Sequence, residues 1–378
     1  MTASVPNPLL ELRKLGVSVW LDDISRSMLA DGSLARLIDD DGVAGLTSNP
    51  AIFANSMMKD ARYAPAIAQL LPRASSPMAL YEELALEDLR AAASLLRPLY
   101  ESTSGGDGFV SFEVSPHLAY DGPGSLAEAQ RLWGRLQLPN AFIKIPGTEA
   151  GLPVIRDLIA SGINVNVTLL FSPERYRAVA RAYIDGLRAR AAAGKSLAGV
   201  ASVASFFLSR IDTAVDQRLD ALAARGQPAA RALRGKAAIA SACRAYEIYE
   251  ETTALPAWQE LVALGARPQR LLWASTSAKD ASFSPIKYVE ELVVPDTVNT
   301  MPLETLNAYR RLGRPELRLE RHIAEASDVR EGLERLDVDL EAVAQQLEGE
   351  GVAKFIEPFD KLQGWLESKR AAPRRPQE

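Results

Sequence analysis

The sequence predicts an α/β fold, a closed (β/α)8 TIM barrel with inserted and C-terminal helices, on three observations. Short apolar, β-rich runs alternate with longer segments whose apolar residues fall at helical spacing. Eight such runs occupy roughly 300 residues, enough for one closed barrel. Several runs end in polar residues, where a buried parallel strand is otherwise almost uniformly apolar. Strands alternating with helices imply βαβ units and a parallel sheet, and eight of them favour closure over an open sheet.

The runs are VSVWL (17–21), VAGLT (43–47), FVSFEV (109–114), AFIKI (141–145), INVNVTLL (163–170), VASVASFFL (200–208), LLWAST (271–276) and ELVVPD (291–296). Between them lie helical patterns such as SPMALYEELALEDLRAAASLLRPLY (76–100) and PERYRAVARAYIDGLRARAAAG (173–194), with charges on the face opposite the apolar one. Roughly 60 residues separate the second run from the third and the sixth from the seventh, so extra helices are expected at both places. Beyond Pro302, VREGLERLDVDLEAVAQQLEGEG and KFIEPFDKLQGWLESKR are helical and would close the fold or cover one end of it. STSGGDG (102–108) reads as a flexible loop. Residues 1–370 read as one domain. The tail AAPRRPQE (371–378), Pro-rich and without large apolar residues, is expected to be disordered.

Composition narrows the function. The 378 residues are 47% hydrophobic and 24% charged, with a net charge of −5 and both signs interspersed. That balance builds a large core and offers no basic face for nucleic acid or an anionic membrane. No stretch reaches the ~18 apolar residues of a membrane helix, and the start has no secretory pattern. A single cysteine, Cys243, excludes an internal disulfide and fits a cytoplasmic protein. With only His117 and His322 besides, the inventory nearly excludes a zinc site built from histidines and cysteines. No GxGxxG occurs. GLRARAAAGKS (186–196) has seven residues between its glycines, where a phosphate-binding loop has four, and reads as a helix ending at Gly194.

The polar residues at the run ends carry the chemistry. They are Asp22, Asn49, Glu113, Lys144, Asn166, Thr168, Ser205, Ser275 and Thr276. Each alone has a plain structural reading: Asp22 as a cap for a helix starting at Asp23, Asn166 as a partner for a backbone group. In a barrel, however, those ends converge on one mouth, where catalytic residues arrive from different strands. Lys144 is the sharpest case. In FIKIP it shares a strand face with Phe142, and both faces of a barrel strand are covered. It is either paired with a buried acid such as Glu113 or desolvated into a nucleophilic amine, for which a pKa of ~7–8 suits neutral pH better than the free ~10.4.

These motifs resemble the transaldolase family over nearly the whole chain. GLTSNPAIF (45–53) is similar to that family's TTNP motif, IKIPGTEAG (143–151) to its Schiff-base lysine strand, and GINVNVTLLFS (162–172) to its most characteristic signature. LLWASTSAKD (271–280) and VVPDTVNTMP (293–302) look like the longer bacterial subgroup, not fused to phosphoglucose isomerase. Two departures stand out. Ser277-Ala278 precede Lys279 where that subgroup more often has Gly-Thr, and LSRID lacks the glycine many members carry before the arginine. Arg210 still falls five residues after Ser205.

The resemblance implies a TIM barrel of the class I aldolase type and no cofactor. It implies transfer of a dihydroxyacetone unit from sedoheptulose 7-phosphate to glyceraldehyde 3-phosphate, in the non-oxidative pentose phosphate pathway. By matching position, Lys144 forms the Schiff base and Asp22 is the acid/base for the hydroxyl whose deprotonation breaks the carbon–carbon bond. Glu113 and Thr168 hold a water, and Asn49 and Asn166 bind the three-carbon unit with Ser205 nearby. Arg210 and Lys279 take the phosphate. The expected partners are phosphorylated sugars, with no nucleic acid and no membrane; the sequence does not choose between a monomer and a homo-oligomer. Two alternatives stay open: a fructose 6-phosphate aldolase-type lyase, and a sugar-phosphate-binding barrel without catalysis.

Overall fold

In the computed structural model, which describes residues 7–371, eight parallel strands close into a barrel in sequence order. They are Val17–Leu21 (β1), Gly45–Leu46 (β2), Phe109–Glu113 (β3), Ala141–Pro146 (β4), Val165–Leu170 (β5), Ser202–Phe207 (β6), Arg270–Ala274 (β7) and Thr297–Met301 (β8). Closure comes from β8 pairing with β1, in register from Val17 opposite Thr297 to Leu21 opposite Met301. The helices surround this barrel. Three of them, Pro50–Lys59, Tyr63–Leu70 and Pro77–Ser102, fill the first long gap. Ser209–Ala224, Ala237–Thr253 and Pro256–Ala263, with a short 3-10 turn, fill the second.

Seven of the eight runs contain the strand expected of them, and ELVVPD does not. Val293 and Val294 are buried, which is why the segment reads as a strand. Pro295, however, has no N–H to donate, and Asp296 turns the chain with φ +61 while its N–H bonds Gly16 O at 3.0 Å. The strand is the next five residues, TVNTM, whose polar positions hide it from a search for apolar runs. Of the tail, only Ala371 is described, as the end of the last helix; residues 372–378 lie outside the described residues.

Local chemistry sets where helices start. Asn49-Pro50, Ser76-Pro77 and Ser172-Pro173 repeat one device. A side-chain oxygen accepts a first-turn N–H, while proline occupies a position whose N–H would be unused. Inside the barrel, Trp20, Phe109 and Phe142 form an aromatic floor, with the Phe109 and Phe142 centroids 4.4 Å apart. Each such ring contributes about 1.5–3 kcal/mol on burial. Gly45 is required there, because a Cβ would stand 2.5 Å from the Trp20 ring.

Below that floor the loop before β3 folds across the barrel end, beside a cavity of about 270 Å³ lined by Gly106, Phe142 and Arg270. STSGGDG, expected to be flexible, is tied down by Asp107, which accepts hydrogen bonds from Ser18 Oγ and from Trp20 Nε1, the latter at 2.8 Å. Arg270 donates to Ser18 Oγ at 2.7 Å and to Gly106 O at 3.0 Å. At the opposite end the helix Leu340–Ala371 crosses the mouth, as the pattern beyond Pro302 anticipates; its Phe355 lines the cavity there. Among the described residues, no helix is long and apolar enough to cross a membrane.

Candidate active site

Above the aromatic floor the inward positions turn polar. Ser111 on β3, Asn166 on β5 and Ser205 on β6 form a hydrogen-bonded layer. Asn166 Nδ2 donates to Ser111 Oγ at 3.1 Å, and Ser205 Oγ donates to Asn166 Oδ1 at 2.7 Å. The next layer is ionisable. Strand register sets Glu113 beside Lys144 and Lys144 beside Asn166, so three neighbouring strands present carboxyl, amine and amide in a row. Lys144 Nζ lies 3.4 Å from Glu113 Oε2 and donates to Ser48 O at 3.1 Å. Both side chains are almost fully buried, at 4% and 3% exposure. Asp22 follows β1 directly, and its Oδ1 accepts from Thr47 Oγ1 at 2.6 Å; that hydroxyl is also 2.7 Å from Thr300 Oγ1.

The electrostatics follow from burial. Glu113 is pushed up to about 7 by desolvation, an effect that the adjacent Lys144 partly opposes. Asp22 is raised for the same reason, with Lys144, the Thr47 hydrogen bond and Lys279 pulling the other way. Two carboxyls and one amine therefore share a buried site, and burial raises one of those carboxyls to about 7. The 3.4 Å contact falls short of hydrogen-bond geometry, so both Glu113 oxygens lack a hydrogen-bond partner; the neighbouring Thr168 Oγ1 lacks one too. Such orphans cost about 1–3 kcal/mol each and concentrate where a ligand or water completes the set.

A cavity of about 190 Å³ opens above this layer. Asp22, Asn49, Lys144, Ser205, Arg210 and Lys279 line it, with Phe207 and Phe355 as its large apolar walls. One Arg210 guanidinium nitrogen is buried without a partner, and burial pulls this group below the usual guanidinium value, opposed by Glu350. Lys279 Nζ donates to Ser277 Oγ at 2.6 Å. Backbone strain gathers here as well: Leu169 and Ser275 take left-handed φ of +61 and +54, and β5 carries a bulge between Val167 and Leu170. A larger cavity of about 600 Å³ lies among outer helices, at Ser241, Arg244, Arg330 and Leu340, and none of Lys144, Glu113 and Asp22 lines it.

The structure thus brings six of the nine site residues that the resemblance implies onto one cavity, together with Ser275 but not Thr276. Glu113, Asn166 and Thr168 do not line it; Glu113 and Asn166 flank Lys144 by register, and Thr168 comes two residues beyond Asn166 on β5. Asp22 caps no helix, since the next helix begins at Arg26 behind Ser25. Sequence reasoning missed Thr47, Ser48 O, Thr300 and Phe355. The first two sit within GLTSNPAIF, where the motif pointed only to Asn49. Phe355 has no local signal at all, being one apolar residue in an amphipathic helix.

An amine, a carboxyl and two cations around a small cavity, with a second carboxyl beside the amine, can form an imine with a carbonyl and move protons beside it. Residues 19–366 match the family model described as transaldolase/fructose-6-phosphate aldolase. The chain is 47% identical over 352 residues to a transaldolase of Thiobacillus denitrificans, covering 93% of this chain and 97% of the relative. It is 44% identical over 375 residues to transaldolase 2 of a Nostoc species (96% and 97%), and 45% identical over 361 residues to a transaldolase of Frankia alni (95% and 96%).

Proposed function

The chain belongs to the transaldolase/fructose-6-phosphate aldolase family and is an enzyme of the transaldolase type, and from that premise we propose that it transfers a dihydroxyacetone unit between sugar phosphates through an imine on Lys144. The observation that carries this reading is the Lys144 amine, buried 3.4 Å from a carboxyl that titrates near 7.

In the proposed sequence Lys144 attacks the donor ketone, forming a carbinolamine. Glu113 and Thr168 hold the water through which protons reach and leave that intermediate, and its dehydration gives the imine. Asp22 then takes the proton of the hydroxyl on the departing carbon of the bond to be broken. As that carbon becomes an aldehyde, the electron pair of the carbon–carbon bond flows into the protonated imine, which is the electron sink. The aldehyde product leaves, an acceptor aldehyde enters, and the steps reverse. Asn49 and Asn166 hydrogen-bond the retained three-carbon unit with Ser205. Arg210 and Lys279 bind the phosphate, a guanidinium being suited to bidentate contact. The donor is sedoheptulose 7-phosphate and the acceptor glyceraldehyde 3-phosphate, in the non-oxidative pentose phosphate pathway; the direction from fructose 6-phosphate uses the same residues.

Incubation with fructose 6-phosphate and borohydride, followed by peptide mass spectrometry, tests the covalent step. A reduced three-carbon adduct on Lys144 is expected, and its absence overturns the mechanism. Rapid release of free dihydroxyacetone without an acceptor aldehyde overturns transfer in favour of a lyase.

A further inference from the structure

The helix Leu340–Ala371 is fastened across the barrel mouth along its length. Glu341 accepts from Ser172 Oγ at 2.6 Å, Gln346 from Arg218 at 2.7 Å, and Asp360 lies 2.7 Å from the His117 ring. Phe359 packs edge-on against Tyr81 with centroids 5.6 Å apart. Gly351 lets the helix approach closely: a Cβ there would stand 3.0 Å from Leu169 Cδ2, and Leu169 is the residue held left-handed beside the β5 bulge. One helical turn further on, the same face presents Phe355. Its side chain is nearly buried at 4% exposure, it lines the cavity, and its ring centroid lies 5.8 Å from Lys144 Nζ.

A phenyl ring can neither donate a strong hydrogen bond nor exchange a proton, so beside a reactive amine its contribution is exclusion. The retained three-carbon unit is vulnerable to solvent at that point. After the first aldehyde leaves, the unit is an enamine on Lys144. A proton delivered to its carbon converts it to the iminium, and attack by one water then gives free dihydroxyacetone and the regenerated amine. Proton and water both come from bulk solvent, and nothing is oxidised or reduced. Transfer requires that an aldehyde arrive before both do.

We infer that Phe355, on the side of the cavity that the C-terminal helix covers, keeps this intermediate from solvent and thereby helps set the ratio of transfer to release. The inference rests on the imine mechanism proposed above. It assigns Phe355 a positioning and water-excluding role and no direct part in bond making.

The test measures two products from the full chain. Dihydroxyacetone is followed with fructose 6-phosphate alone, and sedoheptulose 7-phosphate with fructose 6-phosphate plus erythrose 4-phosphate. Phe355→Ala is expected to raise the release-to-transfer ratio about tenfold or more, and Phe355→Leu to raise it less but in the same direction. Thermal melts accompany both; should the alanine variant not fold, the leucine variant, which keeps an apolar side chain on the buried face, decides the matter. A merely structural role lowers both rates together and leaves the ratio unchanged, which overturns the inference. If the wild-type chain performs no transfer, the proposed function fails and takes this inference with it. A wild type that transfers, with unchanged ratios in the variants, overturns the inference alone.

Discussion

The two ends of this barrel are built from the same strands and treat charge in opposite ways. At the bottom, Asp107 accepts from Ser18 and Trp20 and lies 3.6 Å from Arg270, which itself donates to Ser18 and Gly106. At the mouth, both Glu113 oxygens, Thr168 Oγ1 and one Arg210 nitrogen are buried without partners. Only six residues separate Asp107 from Glu113. Burying a charge costs several kcal/mol in either place, and at the bottom the protein itself supplies the compensation. At the mouth Lys144, 3.4 Å away, offsets the burial of Glu113 only in part, and the carboxyl still stands at about 7. The bottom has unpaired atoms too, the amide oxygens Asn140 Oδ1 and Gln269 Oε1, so what marks the mouth is that its unpaired groups include ionisable ones, Glu113 and Arg210.

The largest expected effect separates those roles outright. Lys144→Met removes the amine at little steric cost. Transfer should fall at least about a thousandfold, with no borohydride adduct. The urea midpoint should change little at neutral pH and below, because Glu113, left without the amine, takes up a proton. Asp107→Ala should do the reverse. It leaves Arg270 without its acid and should cost about 3 kcal/mol of stability, while the folded fraction keeps its kcat. Urea titrations and initial rates on both variants check the pair. A stable, inactive Asp107 variant would erase the distinction between the two ends.

Glu113 sharpens the comparison through pH. Its folded value near 7 lies above the ordinary 4.5, so the folded chain holds that proton more tightly than the unfolded one. The stability this contributes is complete below the ordinary value and is lost as pH rises through 7. The loss is at most about 3 kcal/mol for a shift of this size. Glu113→Gln should remove this slope between pH 5 and 8 and lower kcat about a hundredfold. The activity limb near pH 7 should disappear with it. Denaturation at both pH values and a pH–rate profile test this; an unchanged limb in the variant would assign the titration to another group.

Much of this was legible because buried strands announce themselves by composition, and the mouth announces itself by breaking that composition. Lys144 in FIKIP is conspicuous since ammonium among Phe142, Ile143 and Ile145 has no plain reason to be there. The failures have the same cause in reverse. TVNTM is a polar strand that pairs with β1 and β7, whereas ELVVPD is an apolar segment that turns. STSGGDG has the composition of a free loop, but its Asp107 finds partners on β1 and β7, more than 80 residues away in either direction. Phe355 reaches the cavity from over 200 residues beyond Lys144. Contacts that distant are set by closure of the barrel and leave no local pattern.

Asn49 carries the smallest effect and the most direct test of whether satisfied and unsatisfied groups can be told apart within one side chain. Its Oδ1 accepts the Ile52 N–H at 3.0 Å and caps the helix behind Pro50, a structural duty like those at the barrel bottom. The side chain also lines the cavity beside Lys144, where its Nδ2 is the donor proposed for the three-carbon unit. Serine caps a helix as well as asparagine does but has no amide to offer. Asn49→Ser should therefore leave stability within about 0.5 kcal/mol of wild type while raising KM about tenfold, the worth of one hydrogen bond. Asn49→Ala should raise KM equally and cost about 1 kcal/mol more in stability through the lost cap. Should the serine variant keep the wild-type KM, Asn49 is a cap and nothing else, and the orphaned groups of the mouth begin one layer deeper, at Lys144 and Glu113.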